Sequence, residues 1–413
     1  MSLVYLPPEL HQVILGCLSN DIETLKSCSL TCQAWVRPTR LFLFHNARLV
    51  LHADGDRLKE LLDISDAART GIASYIRDVI FSANLYPRWL EDYVQPLLSR
   101  LEHIEHLSIY DMDWQTPESR ERSSFFLTLS PTITSLTVDW AKFGTPDDCM
   151  RLITAYPRLS TLHLNGFDAS SLQPLVAASE KATIRIVHLT LRQFRSRPAA
   201  RYCYKWLLQP PFSMGLRSLQ WEGSWVGLHA FHQLLTTSGG QLKALKLSSM
   251  IPANYTVPYL RDLNLSCNGQ LVSLDIELEG RDDQGRKAKQ RWVPTLFSTI
   301  QSPCIRSITL RFSEFSNALP VTEWSLAILD WDLVDNELES LARRSPVLSV
   351  FHLHLASRRL DGWMDNMTEA IPPRLAKARA AGVKLDLSVE GILYILRDSH
   401  RIGESHYEER RGL

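Results

Sequence analysis

The stretch Leu159-Ser-Thr-Leu162-His-Leu164 decides how this chain is read, because its spacing returns along most of the sequence. Leu216-Arg-Ser-Leu219-Gln-Trp221 and Leu242-Lys-Ala-Leu245-Lys-Leu247 repeat it closely. Looser copies run Ile104 to Ile109, Ile133 to Val138, Ile186 to Leu191, Leu271 to Ile276 and Ile305 to Leu310, with weaker candidates at Leu49, at Val79 and Phe81, at Phe351 and at Leu385. The apolar-polar-apolar end of each copy has the two-residue period of a strand. The first strand residues, at positions 79, 107, 136, 162, 189, 219, 245, 274 and 308, differ by 28, 29, 26, 27, 30, 26, 29 and 34. Helical patterns such as Arg57 to Leu62 and Tyr93 to Leu101 fall between them. One short strand and one helix per repeat predict an α/β solenoid with parallel strands. A doubly wound enzyme would need longer, less uniform units and more continuous apolar strands.

Over residues 47–395 the period and the Leu-x-x-Leu-x-Leu core resemble leucine-rich repeats. That resemblance implies an arc whose inner face is a parallel sheet. The family's Asn or Cys after the last strand Leu is replaced here by Met112, Ala141, Phe167, Phe194, Ser224, Met250, Glu279 and Ser313. No asparagine ladder is expected along that edge, and the arc should be irregular with apolar side chains filling its turns. Two places break the rhythm. A charged insertion over 280–292 reads as a solvated loop, and the interval 310–351 is rich in Trp and acidic residues (Trp324, Asp330, Trp331, Asp332, Asp335, Glu337). Residues 396–413 read as a frayed tail.

Residues alternating with the core apolar positions point out of the sheet. They give a polar, hydroxyl-rich face of mixed charge, from which the candidate target-binding residues are Tyr110, Asp139, His163, Asn165, Arg192, Gln220, Glu222, Lys246, Asp275, Glu277 and Arg311. His163 and His188 fall on adjacent predicted strands.

Ahead of the repeats, residues 1–46 read as a small helical module. Pro7 and Pro8 suit a first helical turn, and Leu10, Val13, Ile14, Cys17 and Leu18 form an apolar stripe. Asn20 with Glu23 suggests a capping box for a second helix carrying Ile22, Leu25, Cys28, Cys32 and Trp35 on one face. Pro38 would open a third segment ending at Phe44. Such a unit buries too little apolar surface to stand alone, so part of it must meet the rest of the chain or a partner. The order Leu6-Pro7-x-Glu9-Leu10, Ile14, Leu18, Leu25, Cys28-Ser29-Leu30-x-Cys32-x-x-Trp35, Leu43-Phe44 resembles the F-box, and the whole chain resembles a fungal-type F-box protein. One position departs: the basic residue usual two before the Trp is Gln33. The resemblance implies a three-helix module docking a Skp-type adaptor, and through it a cullin, with Leu6, Pro7, Leu10, Ile14, Leu18, Leu30 and Trp35 as contacts or their supports.

Lys+Arg and Asp+Glu both number 45, which argues against broad capture of nucleic acid or anionic membrane. No apolar run approaches a membrane span, and the N-terminus lacks the pattern of a secretory signal. The seven cysteines are odd in number and without a CxxC pair, which fits buried free thiols in a reduced intracellular setting, cytoplasmic or nuclear. No GxSxG, P-loop, HExxH or GxGxxG motif occurs, and His103-Ile-Glu-His106 is one residue short of HxxEH. The expectation is a non-enzymatic substrate-recognition subunit of a Skp-cullin-F-box ubiquitin ligase, with no cofactor or metal. The alternative is a repeat scaffold outside any ligase whose N-terminal helices only cap the solenoid.

Overall fold

The computed structural model describes residues 7–82, 93–116, 124–129, 131–169, 183–194, 203–224, 228–250, 263–279, 290–313, 329–357 and 369–391. Leu6, the tail from 396, Trp324 and the charged insertion through residue 289 lie outside them. By contact density the chain forms two compact units, Met1–Met214 and Gly215–Leu413.

The first unit opens with three helices, α1 (Pro8–Gly16), α2 (Ile22–Thr31) and α3 (Gln33–Leu43). Pro8 occupies the first turn of α1, as expected. The cap of α2 differs from the expectation: Asp21, not Asn20, accepts from the Thr24 N–H at 3.0 Å, and Glu23 turns to Lys26 at 2.7 Å. The second helix also ends earlier. Cys32 is extended (φ −158°, ψ 155°), so Trp35 belongs to α3 and Pro38 lies inside that helix. Pro38 removes one N–H from α3, and the buried Thr39 hydroxyl turns back to the Trp35 and Val36 carbonyls.

Six strands then follow in chain order, each paired parallel to the next: β1 (Asn46–Leu49), β2 (Asp78–Ser82), β3 (His106–Tyr110), β5 (Ser135–Asp139), β7 (Thr161–Asn165) and β9 (Ile184–Arg192). Register places Val79, Leu107, Leu136, Leu162 and Leu189 side by side, the positions from which the repeat period was counted. This row and the one two residues on, Phe81, Ile109, Val138, Leu164 and Leu191, are buried. Ile104, Ile133 and Leu159 are buried too, but in the turn entering each strand. α4 (His52–Ala67), α5 (Gln95–Ser99) and α6 (Pro146–Thr154) connect strands. Between β3 and β5 the described helix is a short 3₁₀ turn, Ser124–Thr128.

After β3, β5, β7 and β9 the chain turns at Asp111, Trp140, Gly166 and Gln193, all with positive φ between 45° and 63°. The N–H of each of the first three donates to the last strand residue of the next repeat: Asp111 to Asp139, Trp140 to Asn165, Gly166 to Arg192. The chain then forms a second small parallel sheet from β4 (Asp113–Trp114), β6 (Lys142–Phe143) and β8 (Asp168–Ala169). Met112, Ala141 and Phe167 are buried in these turns. A file of rings runs along them: Trp114–Phe143 at 5.7 Å, Phe143–Phe167 at 5.5 Å, Phe167–Phe194 at 6.1 Å and Phe194–Tyr204 at 5.5 Å between centroids. The apolar filling expected in place of an asparagine ladder is present here. The matching side chains of the second unit, at 224, 250, 279 and 313, lie outside those described.

The second unit holds most of β10 (Phe212–Ser224), then β11 (Ala244–Met250), β12 (Ser273–Glu279), β13 (Ser307–Ser313), β14 (Val350–Ser357) and β15 (Lys384–Gly391), again parallel neighbours in chain order. Leu219, Leu245, Leu274, Ile308, Phe351 and Leu385 share one register. The helices are α7 (Leu228–Ser238), α8 (Trp292–Thr299), α9 (Trp331–Arg344) and α10 (Ala376–Ala380). The interval that broke the sequence rhythm contains α9, whose buried residues Trp331, Val334, Asp335, Leu338, Leu341 and Ala342 follow helical spacing. Asp335 accepts from the Lys377 and Ala378 N–H groups, tying α9 to the first turn of α10. Gln290 and Trp292, at the end of the expected charged loop, are buried and bonded to each other at 2.6 Å.

Six residues before the register position, a buried polar side chain reaches back to the preceding repeat. Asn268 donates to the Leu235 and Gly239 carbonyls, both at 3.1 Å. Ser302 donates to the Leu271 and Gly269 carbonyls, and Ser345 to the Ser302 carbonyl. Tyr156, at the equivalent place in the first unit, donates to the Phe126 carbonyl. These bonds satisfy carbonyls that would otherwise be buried without partners.

Candidate recognition surfaces

Two surfaces hold the residues singled out by sequence. The first is the helical module. Leu15 and Leu25 are buried and hold the helices together, and α3 contacts both α1 and α2. Outside that small core, Leu10 (45% exposed), Val13 (63%), Ile14 (41%), Ile22 (57%) and Leu30 (86%) remain accessible. Pro7 is exposed, Leu18 is half-buried, and Trp35 is half-buried with its ring 6.1 Å from that of His11. Val13 and Ile22 were absent from the expected contacts. Val13 was legible in the stripe, whereas Ile22 had been placed on the same face as Leu25, which is buried. The thiols differ from expectation as well: Cys149 and Cys203 are buried, but Cys17 and Cys32 are exposed and Cys28 is half-buried.

The second surface is the polar side of the strands. In the first unit Tyr110, Asp139, Asn165 and Arg192 stand in one cross-strand row. His163 lies one row before, beside Thr137 and Thr190. Asn165 Nδ2 donates to Asp139 Oδ1 at 2.8 Å, and Asn165 Oδ1 is buried with no partner among the described residues. Burial raises the Asp139 carboxyl above the usual aspartate range, against the lowering effect of the Asn165 bond. Burial, with Asp139 beside it, also raises the Tyr110 phenol. His163 is pushed down, first by burial and then by the positive fields of His188 and Arg192. His163 and His188 are thus near each other, as their strands suggested. On the first strands, Asp78 lies between two imidazoles, with His45 Nε2 at 3.4 Å and His106 Nε2 at 3.8 Å.

In the second unit Glu222, Ser248, Glu277 and Arg311 form one row, and Gln220, Lys246, Asp275 and Thr309 the row before it. Arg311 reaches across to Asp275, its Nε 2.9 Å from both carboxylate oxygens, and Ser248 donates to Glu277 at 2.9 Å. The same rows continue beyond the expected residues: His352 Nδ1 is 2.9 Å from Asp386 Oδ2, and His354 Nδ1 is 2.9 Å from Ser388 Oγ. The alternation in Phe351-His-Leu-His-Leu355 carried that signal.

What these rows offer is directional hydrogen bonding and paired charge over successive strands. Among the described residues, no group of three or more His, Cys, Asp and Glu side chains is placed to hold a metal ion, and no helix is long and apolar enough to cross a membrane. No protein-family model matches the chain, and no curated protein is detectably similar to it in sequence.

Proposed function

We propose that this protein is the target-selecting subunit of a Skp-cullin-F-box ubiquitin ligase. In this reading α1–α3 form an F-box that docks a Skp-type adaptor, and leucine-rich-repeat-like units present the polar rows to a target protein. The observation that carries it is the apolar face left open on α1 and α2. Leu10, Val13, Ile14, Ile22 and Leu30 stay accessible in a folded chain, and large exposed apolar patches mark interaction sites. The order of residues that resembles the F-box supplies the identity of the partner. Polar rows spread over successive parallel strands suit protein recognition, the common use of repeat surfaces.

The test is co-purification of the full chain with a Skp-type adaptor, compared with Leu30→Asp. Leu30 is so exposed that its replacement leaves the fold intact, so loss of the adaptor from a folded variant supports the reading. A folded wild-type chain that retains no adaptor sinks it.

One observation favours the scaffold reading. α3 contacts the Ile72–Tyr75 turn, with Thr39 fully buried and Arg40 reaching the Thr70 carbonyl at 3.4 Å. A pure cap predicts that deleting residues 1–46 uncovers the first repeat and causes aggregation, while adaptor binding is absent from the start.

A further inference from the structure

β1 is an end strand: among the described residues it pairs only with β2. The Asp78 N–H donates to the His45 carbonyl at 3.0 Å. In a parallel ladder this parity turns the Ala47 N–H toward β2 and leaves the N–H and C=O of Asn46 and Arg48 directed outward. Those groups have no partner among the described residues. Beside this free edge lies a groove of about 220 Å³ between β1 and α4. Phe44, Ala47, Leu58 and Leu61 give it apolar walls, and Arg48 and Arg57 line it with positive charge. Asp54 also borders it, but its carboxylate is engaged by the Val50 and Leu51 N–H groups at 3.1 and 2.8 Å.

The geometry points to a peptide-docking groove, in which an extended acidic-aliphatic segment of a partner protein adds to the edge of β1. Its backbone pairs with Asn46 and Arg48, one aliphatic side chain enters between β1 and α4, and flanking carboxylates meet Arg48 and Arg57. Edge addition takes affinity from main-chain bonds and specificity from pockets for alternate side chains. The groove is smaller than the roughly 300–1,000 Å³ of sites for drug-sized ligands, which suits one or two side chains better than a cofactor. Because β1 is only four residues long, the contact is short and the affinity modest. The groove adjoins the polar rows, since Arg48 shares a cross-strand row with Ile80, Ser108, Thr137 and His163, but it uses none of the exposed apolar residues of α1 and α2 and stands whether or not an adaptor binds.

The experiment is fluorescence anisotropy with the full chain and a labelled peptide Glu-Ile-Glu-Val-Glu-Leu. Saturable binding is expected with a dissociation constant on the order of tens of micromolar. N-methylation of alternate peptide amides should abolish it. Arg57→Glu, at an exposed position, should weaken it by about tenfold or more while improving binding of the Lys-Ile-Lys-Val-Lys-Leu counterpart. Leu61→Trp, which fills the groove, should block both. Failure of the parent peptide to bind, or binding indifferent to N-methylation and to both variants, overturns the proposal.

Discussion

Gly166 occupies one of four equivalent corners, yet Asp111, Trp140 and Gln193 hold the other three with positive φ and a full side chain. Left-handed backbone alone therefore does not demand glycine here. Packing does: a Cβ on Gly166 would lie 2.7 Å from Cε3 and 3.1 Å from Cα of Trp140. Gly166→Ala should cost about 1–3 kcal/mol, combining backbone strain with that collision. Denaturant unfolding would measure it, and a double variant with Trp140→Ala should recover part of the loss. A Gly166→Ala protein as stable as the parent would contradict this packing. The ionisable residues of the same face make a second prediction. Asp139 has a raised folded value, so between about 3.9 and that value the folded state holds the extra proton and stability falls as pH rises. His163 has a lowered folded value, so from about 6.5 down to that value stability falls as pH drops. NMR titration should find the two midpoints displaced in these opposite directions, and Asp139→Asn should remove only the acid-side slope. Midpoints at the ordinary values would count against the burial of both groups. None of this was legible beforehand, because the alternation assigns Asp139 and His163 to a face but does not say how deeply neighbours bury them.

At the scale of elements, hydrophobic spacing marked the strands closely enough that, within each unit, the residues counted share a register: Val79 to Leu189 in the first and Leu219 to Ile308 in the second. A two-residue period fixes which side chains enter a core, and a one-residue slip would expose them all. Spacing says less about the connections. The helix at Trp331–Arg344 was masked by its acidic and aromatic composition, although Trp331, Val334, Leu338 and Leu341 repeat at helical intervals. The break at Cys32 was missed because the apolar positions on both sides of it fit one continuous helix. The buried polar side chains before the strands escaped as well, since Asn268, Ser302 and Ser345 look like ordinary turn residues until their partners are seen. They are structural: Asn268 holds two carbonyls of the preceding repeat. Asn268→Ala should cost about 1–3 kcal/mol by leaving buried acceptors unpaired. Thermal unfolding would show it as a lowered midpoint, and an unchanged midpoint would mean that water replaces the side chain.

For the whole molecule, the sequence resolved the order of parts: helices first, parallel strand-helix repeats after. It named candidate residues in the helical module, of which Leu10, Ile14 and Leu30 are exposed, and on the strands, where they stand in cross-strand rows within each unit. It could not tell contact residues from supports within the helical module. Trp35 illustrates this. Half-buried against His11, it would weaken the module as well as any docking if truncated. Leu30, 86% exposed, and Leu10, 45% exposed, lie outside the buried core of the module formed by Leu15 and Leu25. The most direct measurement is therefore titration calorimetry of the full chain with a Skp-type adaptor, for the parent, Leu10→Asp and Leu30→Asp, each checked for native circular dichroism. The account predicts a stoichiometric complex with the parent and at least about a tenfold weaker one with each variant, equivalent to about 1.4 kcal/mol or more. A folded parent that shows no heat of binding, or variants that bind as tightly as the parent, would contradict it.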